Sequence, residues 1–403
     1  MKKPSRRLSR RTFLAMGTGI AAGLALAPRF VLAQDATAAA TPAATEAALP
    51  PAPAAGPIDL KTAGGMDALV AAAKKEGALN VVALPDDWAD YKDIKGTFFP
   101  RYGLQISDLN PDGSSGDEIS AIKANAGNTG PQNPDVIDVG FIWGDQSKAA
   151  GLLQPYKVAT WDTIPDALKD ADGFYYGDYY GTMSFEVNSD VVKNVPQDWS
   201  DLLKPEYKGM IGMAGDPTSA AQAVYSVWAA ALANGGSLDD PMPGLQFFKQ
   251  VAAAGNLNGA VAQAGLVAKG EIPIALRWDF NALSNRDNNA KVANIQVVYP
   301  KSGSIAGVYL QAINAYAPHP MAARLWQEFL YSDEGQLFWL KGYAKPARFD
   351  DLKKRNVIPA DLLAKLPQAD VKVAFPTTDQ IKKALPAITG GWPTIVGVSV
   401  KSS

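Results

Sequence analysis

The sequence predicts an α/β protein with two domains. Three observations carry the prediction. Helix and strand patterns alternate along the chain, and the strand patterns are short runs bounded by turn residues. Of 403 residues, roughly 345 remain after an N-terminal leader and a loose segment, enough for two domains. Hydrophobic residues make up 47% and aromatics 9%, enough to fill proper cores.

Folded sequence is expected to begin near Ile58. Met66 to Lys75 has Met66, Leu69, Val70 and Ala73 on one helical face, and Gly77 stops the helix. Leu79 to Leu84 is a short apolar strand, broken by Pro85. Gly103 to Leu109 reads as the next strand, leading through Asn110-Pro111-Asp112-Gly113-Ser114-Ser115-Gly116 into a helix over Asp117 to Ala126. Asp135 to Gly140 is a third strand. Such alternation predicts a mostly parallel sheet with helices on both faces, with ligands beyond the carboxyl ends of the strands. No glycine-rich dinucleotide fingerprint, phosphate-loop lysine or internal repeat is present.

The leader is specific. Ser9-Arg10-Arg11-Thr12-Phe13-Leu14 precedes an apolar run from Ala15 to Ala27 and ends in Val31-Leu32-Ala33. Paired arginines before a short hydrophobic segment read as a bacterial twin-arginine export signal, cleaved near Ala33, although Ala15 stands where many such signals place Lys. The apolar run is about half the length that spans a bilayer, so it is an address and not an anchor. Residues 34–57 are nearly all Ala, Pro and Thr and read as an extended, disordered tether.

Composition excludes several functions. Seven of the 38 basic residues lie within the first 33, leaving 31 against 40 acidic ones and a net charge of −9 after cleavage. That balance argues against nucleic acid. Cysteine is absent, so there is no disulfide, thiolate nucleophile or lipid-bearing Cys. The single histidine, His319, sits between Pro318 and Pro320 and cannot supply a His dyad or a multi-His metal site. No cofactor and no resident metal are expected.

Several stretches resemble a known family. They are Leu69 to Gly77 before the first strand, Pro134 to Val139 with Gly151-Leu152-Leu153-Gln154-Pro155-Tyr156, and Ala322 to Gln336 with Trp326, Phe329, Leu330, Ser332, Glu334 and Gly335. The most specific is Asp198-Trp199-Ser200-Asp201-Leu202-Leu203-Lys204-Pro205-Glu206-Tyr207-Lys208-Gly209, followed by Gly215-Asp216-Pro217. In order and spacing they resemble the extracellular solute-binding proteins of bacterial ATP-driven (ABC) importers, in the group of polyamine, ferric iron, thiamine and aminoethylphosphonate binders. The resemblance implies a two-lobe periplasmic-binding-protein fold of type II, hinged on two crossing strands. The crossings would be Gly181 to Asn188 and Ile295 to Pro300. Lobe 1 would then be 58–182 plus 299–403, and lobe 2 183–298. The implied protein is a periplasmic monomer, not an enzyme, that delivers a small solute to an inner-membrane permease and its ATPase.

The loops at strand ends should line the interlobe cleft. Asp86, Asp87, Trp88 and Tyr91 follow the first strand, Phe141 and Trp143 the third, and Tyr309 and Gln311 the return crossing. Ser114 and Ser115 open one helix, and Asp216, Thr218 and Ser219 another. Aromatic rings beside carboxylates, as in Asp86 with Trp88, suit a protonated amine, which a ring face attracts by about 0.5–2 kcal/mol. By resemblance to the polyamine binders, Trp278 and Asp279 would be the second-lobe pair and Trp88 the first-lobe wall. Ser114, Ser115, Thr218 and Ser219 could instead hold a carboxylate or phosphonate at helix starts, although such residues are also ordinary N-caps. Tyr175, Tyr176, Tyr179 and Tyr180 invite a ferric reading, but neighbouring strand residues face opposite ways, and Tyr180 is the one expected to reach the cleft. Arg277 is expected to pair with Asp279, with a clamp on a ligand anion as the alternative. Trp326, Phe329, Leu330 and Phe338 recur at helical spacing and are expected in the core.

The favoured solute is a polyamine or other organic amine; aminoethylphosphonate and ferric iron are the alternatives. From other classes, an envelope hydrolase using a carboxylate pair such as Asp86 with Asp279, or a sensor presenting its solute to a receptor, would share these features.

Overall fold

The structure, a computed structural model, describes residues 49–366 and 373–401. The expected twin-arginine leader and the first part of the Ala-Pro segment lie outside the described residues. Residues 49–57 form no helix or strand. The end of the expected tether is nonetheless docked: the Pro50 carbonyl accepts from the Tyr316 hydroxyl at 2.8 Å and the Pro57 carbonyl from Arg324 Nε at 2.6 Å.

The helix Met66–Glu76 forms where its apolar spacing predicts, burying Leu69 and Ala73. It stops at Gly77, whose φ of 81° is left-handed and costs glycine little. Strand β1 (Ala78–Val82) follows and pairs in parallel with β2 (Gln105–Leu109). Beside β1 runs β3 (Val136–Gly140), joined through Asp135, whose N–H donates to the Asn80 carbonyl at 2.8 Å. His319 is held here too, its Nδ1 2.8 Å from Asp135 Oδ2. The helix Pro320–Leu330 packs on Met66–Glu76 and buries Trp326, Phe329 and Leu330, with Phe98 edge-on to Trp326 at 4.9 Å. Phe338 is half-buried against Phe329. Each such side chain contributes about 1.5–3 kcal/mol of burial.

The larger sheet is mostly antiparallel, not mostly parallel as expected. β4 (Leu153–Gln154) pairs at its margin with β9 (Ala306–Asn314). β9 lies between β3 and β5 (Tyr176–Asn188) and is antiparallel to both. β5, thirteen residues long, changes partners midway. Tyr176 to Thr182 pair with β9, whereas Met183 to Val187 pair with β7 (Ile274–Trp278). β6 (Ile211–Met213) runs parallel to β7, and β8 (Ile295–Val298) pairs antiparallel with Phe185 to Asn188. β10 (Lys345–Pro346) pairs with Tyr179 and Tyr180. Long strands that run from one lobe into the other must return alongside themselves, and this imposes the antiparallel ladder.

The fold is thus α/β with two lobes, of the type II periplasmic-binding class, and β5 with the β8–β9 segment forms the two crossings. The chain end departs from expectation. The helix Thr378–Gly391, opened by a capping box between Thr377 and Gln380, packs on the helices Ala221–Ala233 and Met242–Ala253. Trp392 follows and meets Phe248 at 5.5 Å. Residues 378–401, expected in the first lobe, reach both sides: the apolar face of that helix meets these two helices, while the helix also contacts the turn Phe141–Trp143 and Lys382 pairs with Asp145 at 3.0 Å.

Candidate functional site

A cavity of about 420 Å³ lies between the lobes. On one side it meets the turn after β1, the start of the helix Ser115–Asn125, β3 and β9. On the other it meets the loops that open the helices Ala221–Ala233 and Ala264–Ala268, together with Arg277, Asn281 and Asn285. The lobes touch directly. The Gly116 N–H donates to the Ser219 carbonyl at 3.2 Å.

The first-lobe wall is built around Asp138. Alternation along β3 turns this residue away from Ile137 and Val139 into the cleft side of the sheet. Its Oδ2 accepts from Tyr91 (2.6 Å) and Tyr179 (2.8 Å), while its buried Oδ1 has no partner. Glu118, buried on the first turns of its helix, accepts from the Asp138 N–H at 2.8 Å. Burial raises the Asp138 carboxyl to about 7 against the lowering effect of the two tyrosine hydroxyls, and lifts Glu118 well above the carboxylate range. Trp88 covers this group. Its Nε1 donates to Tyr179 at 2.6 Å, and its ring stands edge-on to Tyr309 (5.3 Å) and to Phe280 (5.5 Å).

The second-lobe wall is also rich in acceptors. Asp216 lines the cleft while its Oδ1 accepts from Thr218 N–H and Oγ1 at 2.8 and 2.7 Å. The Asn281 Oδ1 is buried without a partner. Arg277 is committed: its Nε lies 2.8 Å from Glu186 Oε2 and its guanidinium also donates to the Ala262 carbonyl. It does not pair with Asp279.

Of the twelve residues expected to bind solute, Trp88, Ser114, Ser115, Asp216 and Tyr309 line the cavity. The serines do so as caps and braces. Ser114 forms a capping box with Asp117, and Ser115 Oγ accepts from the Gly140 N–H at 3.1 Å. The other seven lie elsewhere. Trp278 is fully buried, packed on Tyr225 at 5.2 Å, because β7 is covered on both faces. Asp279 accepts from the N–H groups of Thr182 and Phe280, both at 2.9 Å, pinning β5 at the crossing. Asp86 pairs with Lys95 at the surface (2.9 Å), and Thr218 is exposed. Trp143 is buried in the turn after β3. Gln311 is buried, its Nε2 donating to Tyr91 at 2.7 Å. Tyr180 packs on Phe375, whereas the buried Tyr179 bonds Asp138 behind the cleft wall; neither lines the cavity.

Sequence reading passed over Asp138, Glu118 and Asn281. The available signal was a lone acid within the apolar run Val136-Ile137-Asp138-Val139, since an unpaired carboxylate is rarely buried without a task.

Fold and cleft define a two-lobe solute-binding protein. The sequence profile of the bacterial extracellular solute-binding proteins matches residues 132–382, and the chain belongs to that family. Its class is that of the substrate-binding components of ABC importers, which take up a small molecule outside the cytoplasm and work with a membrane permease. The spermidine/putrescine-binding periplasmic protein of Escherichia coli (strain K12) is 26% identical over 287 residues, covering 66% of this chain and 74% of that protein. An uncharacterized protein of Haemophilus influenzae is 28% identical over 265 residues, 61% of this chain and 70% of its own. Among solved structures, the periplasmic binding protein AfuA from Actinobacillus pleuropneumoniae, with fructose-6-phosphate bound, superposes with a TM-score of 0.61 at 21% identity, covering 80% of this chain and 99% of that one. Iron-bound HitA from Pseudomonas aeruginosa gives 0.57 at 20% identity, covering 78% and 98%.

Proposed function

We propose that the cleft captures a small organic amine, a polyamine above all, and delivers it to the permease and its ATPase. One observation carries the reading: the cleft presents acceptors that lack donors. Asp138 Oδ1 and Asn281 Oδ1 are buried and unpartnered, and Asp87, Glu118 and Asp216 stand in the same walls. Arg277, the one guanidinium lining the cavity among the described residues, is tied to Glu186 and Ala262. An ammonium supplies the missing donors, and the aromatic rings of Trp88 and Tyr309 in the same wall suit a cation beside them. The name of the Escherichia coli relative points the same way.

The alternatives lose their donors. Ser114 spends its hydroxyl proton on Asp117 Oδ2 while capping its own helix, which leaves a phosphonate without that donor. The Tyr179 hydroxyl is spent on Asp138 and Tyr175 bonds Asp145, which weakens the ferric reading. Asp86 at the surface and Asp279 at the crossing do not form a hydrolytic pair in the cleft.

In this reading the first lobe comprises 58–182 and 299 to about 377, and the second 183–298 with 378–401, closing on the solute as a hinged monomer. The protein reaches the periplasm by the twin-arginine route, cleaved near Ala33.

Isothermal calorimetry on protein unfolded and refolded to strip carried solute tests the proposal. Spermidine and putrescine should bind at one site per chain, and Asp138→Ala should weaken them at least about 10-fold, the loss of one charge-assisted bond. Binding of aminoethylphosphonate or ferric citrate in place of the amines would overturn it.

A further inference from the structure

The family match ends at residue 382, yet the chain beyond it enters the cleft. Trp392, fully buried against Phe248, donates its Nε1 to the Val398 carbonyl at 2.7 Å. Between them Gly397, with φ of 71°, reverses the chain, a conformation that strains any residue bearing a Cβ. The segment Val398 to Lys401 then runs along the loop that carries Ala262. The Lys401 N–H donates to the Gly259 carbonyl at 3.0 Å, and the Val261 N–H to the Lys401 carbonyl at 2.9 Å. These two bonds hold Ala260 and Lys401 as a parallel bridge. They set Val400, 2% exposed, into the wall of the cavity beside Val261 and Ala262.

We infer that the C-terminal segment Val398 to Lys401 is a wall of the solute cleft and that Val400 is a specificity-determining residue. The inference rests on this cleft being the solute site. Most of the cleft's polar atoms would recognise charge, and charge alone does not measure a ligand's length. An apolar side chain held in the cavity wall by backbone bonds does, because it would meet the hydrocarbon of the solute and could not yield without undocking the segment. A pocket of this kind separates ligands that differ by one methylene by about 10–200-fold.

The chain has no cysteine, so Val400→Cys introduces its single thiol. The rate at which a methanethiosulfonate modifies that thiol is measured with and without spermidine. With spermidine at about 100 times its dissociation constant, modification should slow by up to about 100-fold, since only empty protein reacts. A thiol placed by Val292→Cys, at a position 73% exposed on the second lobe, should react at one rate throughout. Val400→Phe should cost spermidine more affinity than putrescine, by about 10-fold or more, with the melting temperature of the free protein kept. Unprotected modification at position 400 in protein that calorimetry shows to hold spermidine, together with an unchanged spermidine-to-putrescine ratio in Val400→Phe, would overturn the inference. If the wild-type protein binds aminoethylphosphonate and no amine, the amine reading fails by itself. The same protection measured with that solute then decides the wall.

Discussion

Asp138 shows what one residue contributes. A carboxylate in a buried strand is costly unless something repays it, and two tyrosine hydroxyls repay only one of its oxygens. In the folded protein it keeps its proton up to about pH 7. In the unfolded chain it would lose it near about 3.9. The folded state thus binds more protons between those values, so this group's stabilisation is full at low pH and is lost as pH rises through 7. Asp279, also raised to about 7 by burial, adds a slope of the same sign. Solute-free protein should therefore melt at progressively lower temperature from pH 5 to pH 8, and Asp138→Asn should reduce that dependence. Spermidine affinity should move the other way, because the ammonium needs the ionised carboxylate. It should rise with pH by up to about 10-fold per unit below 7 and flatten above. A pH-independent affinity in the wild type would remove Asp138 from the site.

Among the elements, β5 and the end of β3 would govern the proposed closure. β5 belongs to one lobe up to Thr182 and to the other from Met183, and Asp279 grips it at that junction. On the proposed reading, closure would bend the chain at this junction. Gly140 lies at the contact between the lobes, where a Cβ would lie 2.3 Å from the Cβ of Ala221 at the start of the opposing helix. The φ of Gly140 is −54°, so substitution strains no backbone and acts through contact alone. Gly140→Val should leave the circular dichroism spectrum intact but hold the cleft open. Spermidine should then bind at least about 10-fold more weakly, and its addition should no longer reduce the radius of gyration in small-angle scattering. Contraction equal to that of the wild type would show that this contact does not limit closure.

For the whole molecule, charge and leader act together. On the proposed reading, cleavage near Ala33 would move the net charge from −2 to −9, and the exported form would be more acidic than its precursor, as suits the proposed cationic solute. Replacing Arg10 and Arg11 by lysines should leave precursor in the cytoplasm, seen by fractionation and blotting. Periplasmic delivery that survives the change would remove the twin-arginine assignment.

What the sequence determined by itself was what depends on near neighbours. The helix Met66–Glu76 and its stop at Gly77, strand β3, the buried Trp326 helix and the family likeness were all legible, because apolar periodicity and turn chemistry act within a few residues. Local pattern could also say that Trp88 and Trp278 both follow strands. It could not say that one covers a carboxylate in the cleft while the other is sealed beneath Tyr225. That difference, like the antiparallel course of β5 and β9, the bond of Tyr179 to Asp138 and the return of Val400 to the cavity, was decided by the tertiary structure. Which face a side chain turns, and what it meets there, is set by strands and helices distant in sequence, whose contacts leave no mark on the spacing of the residues that make them.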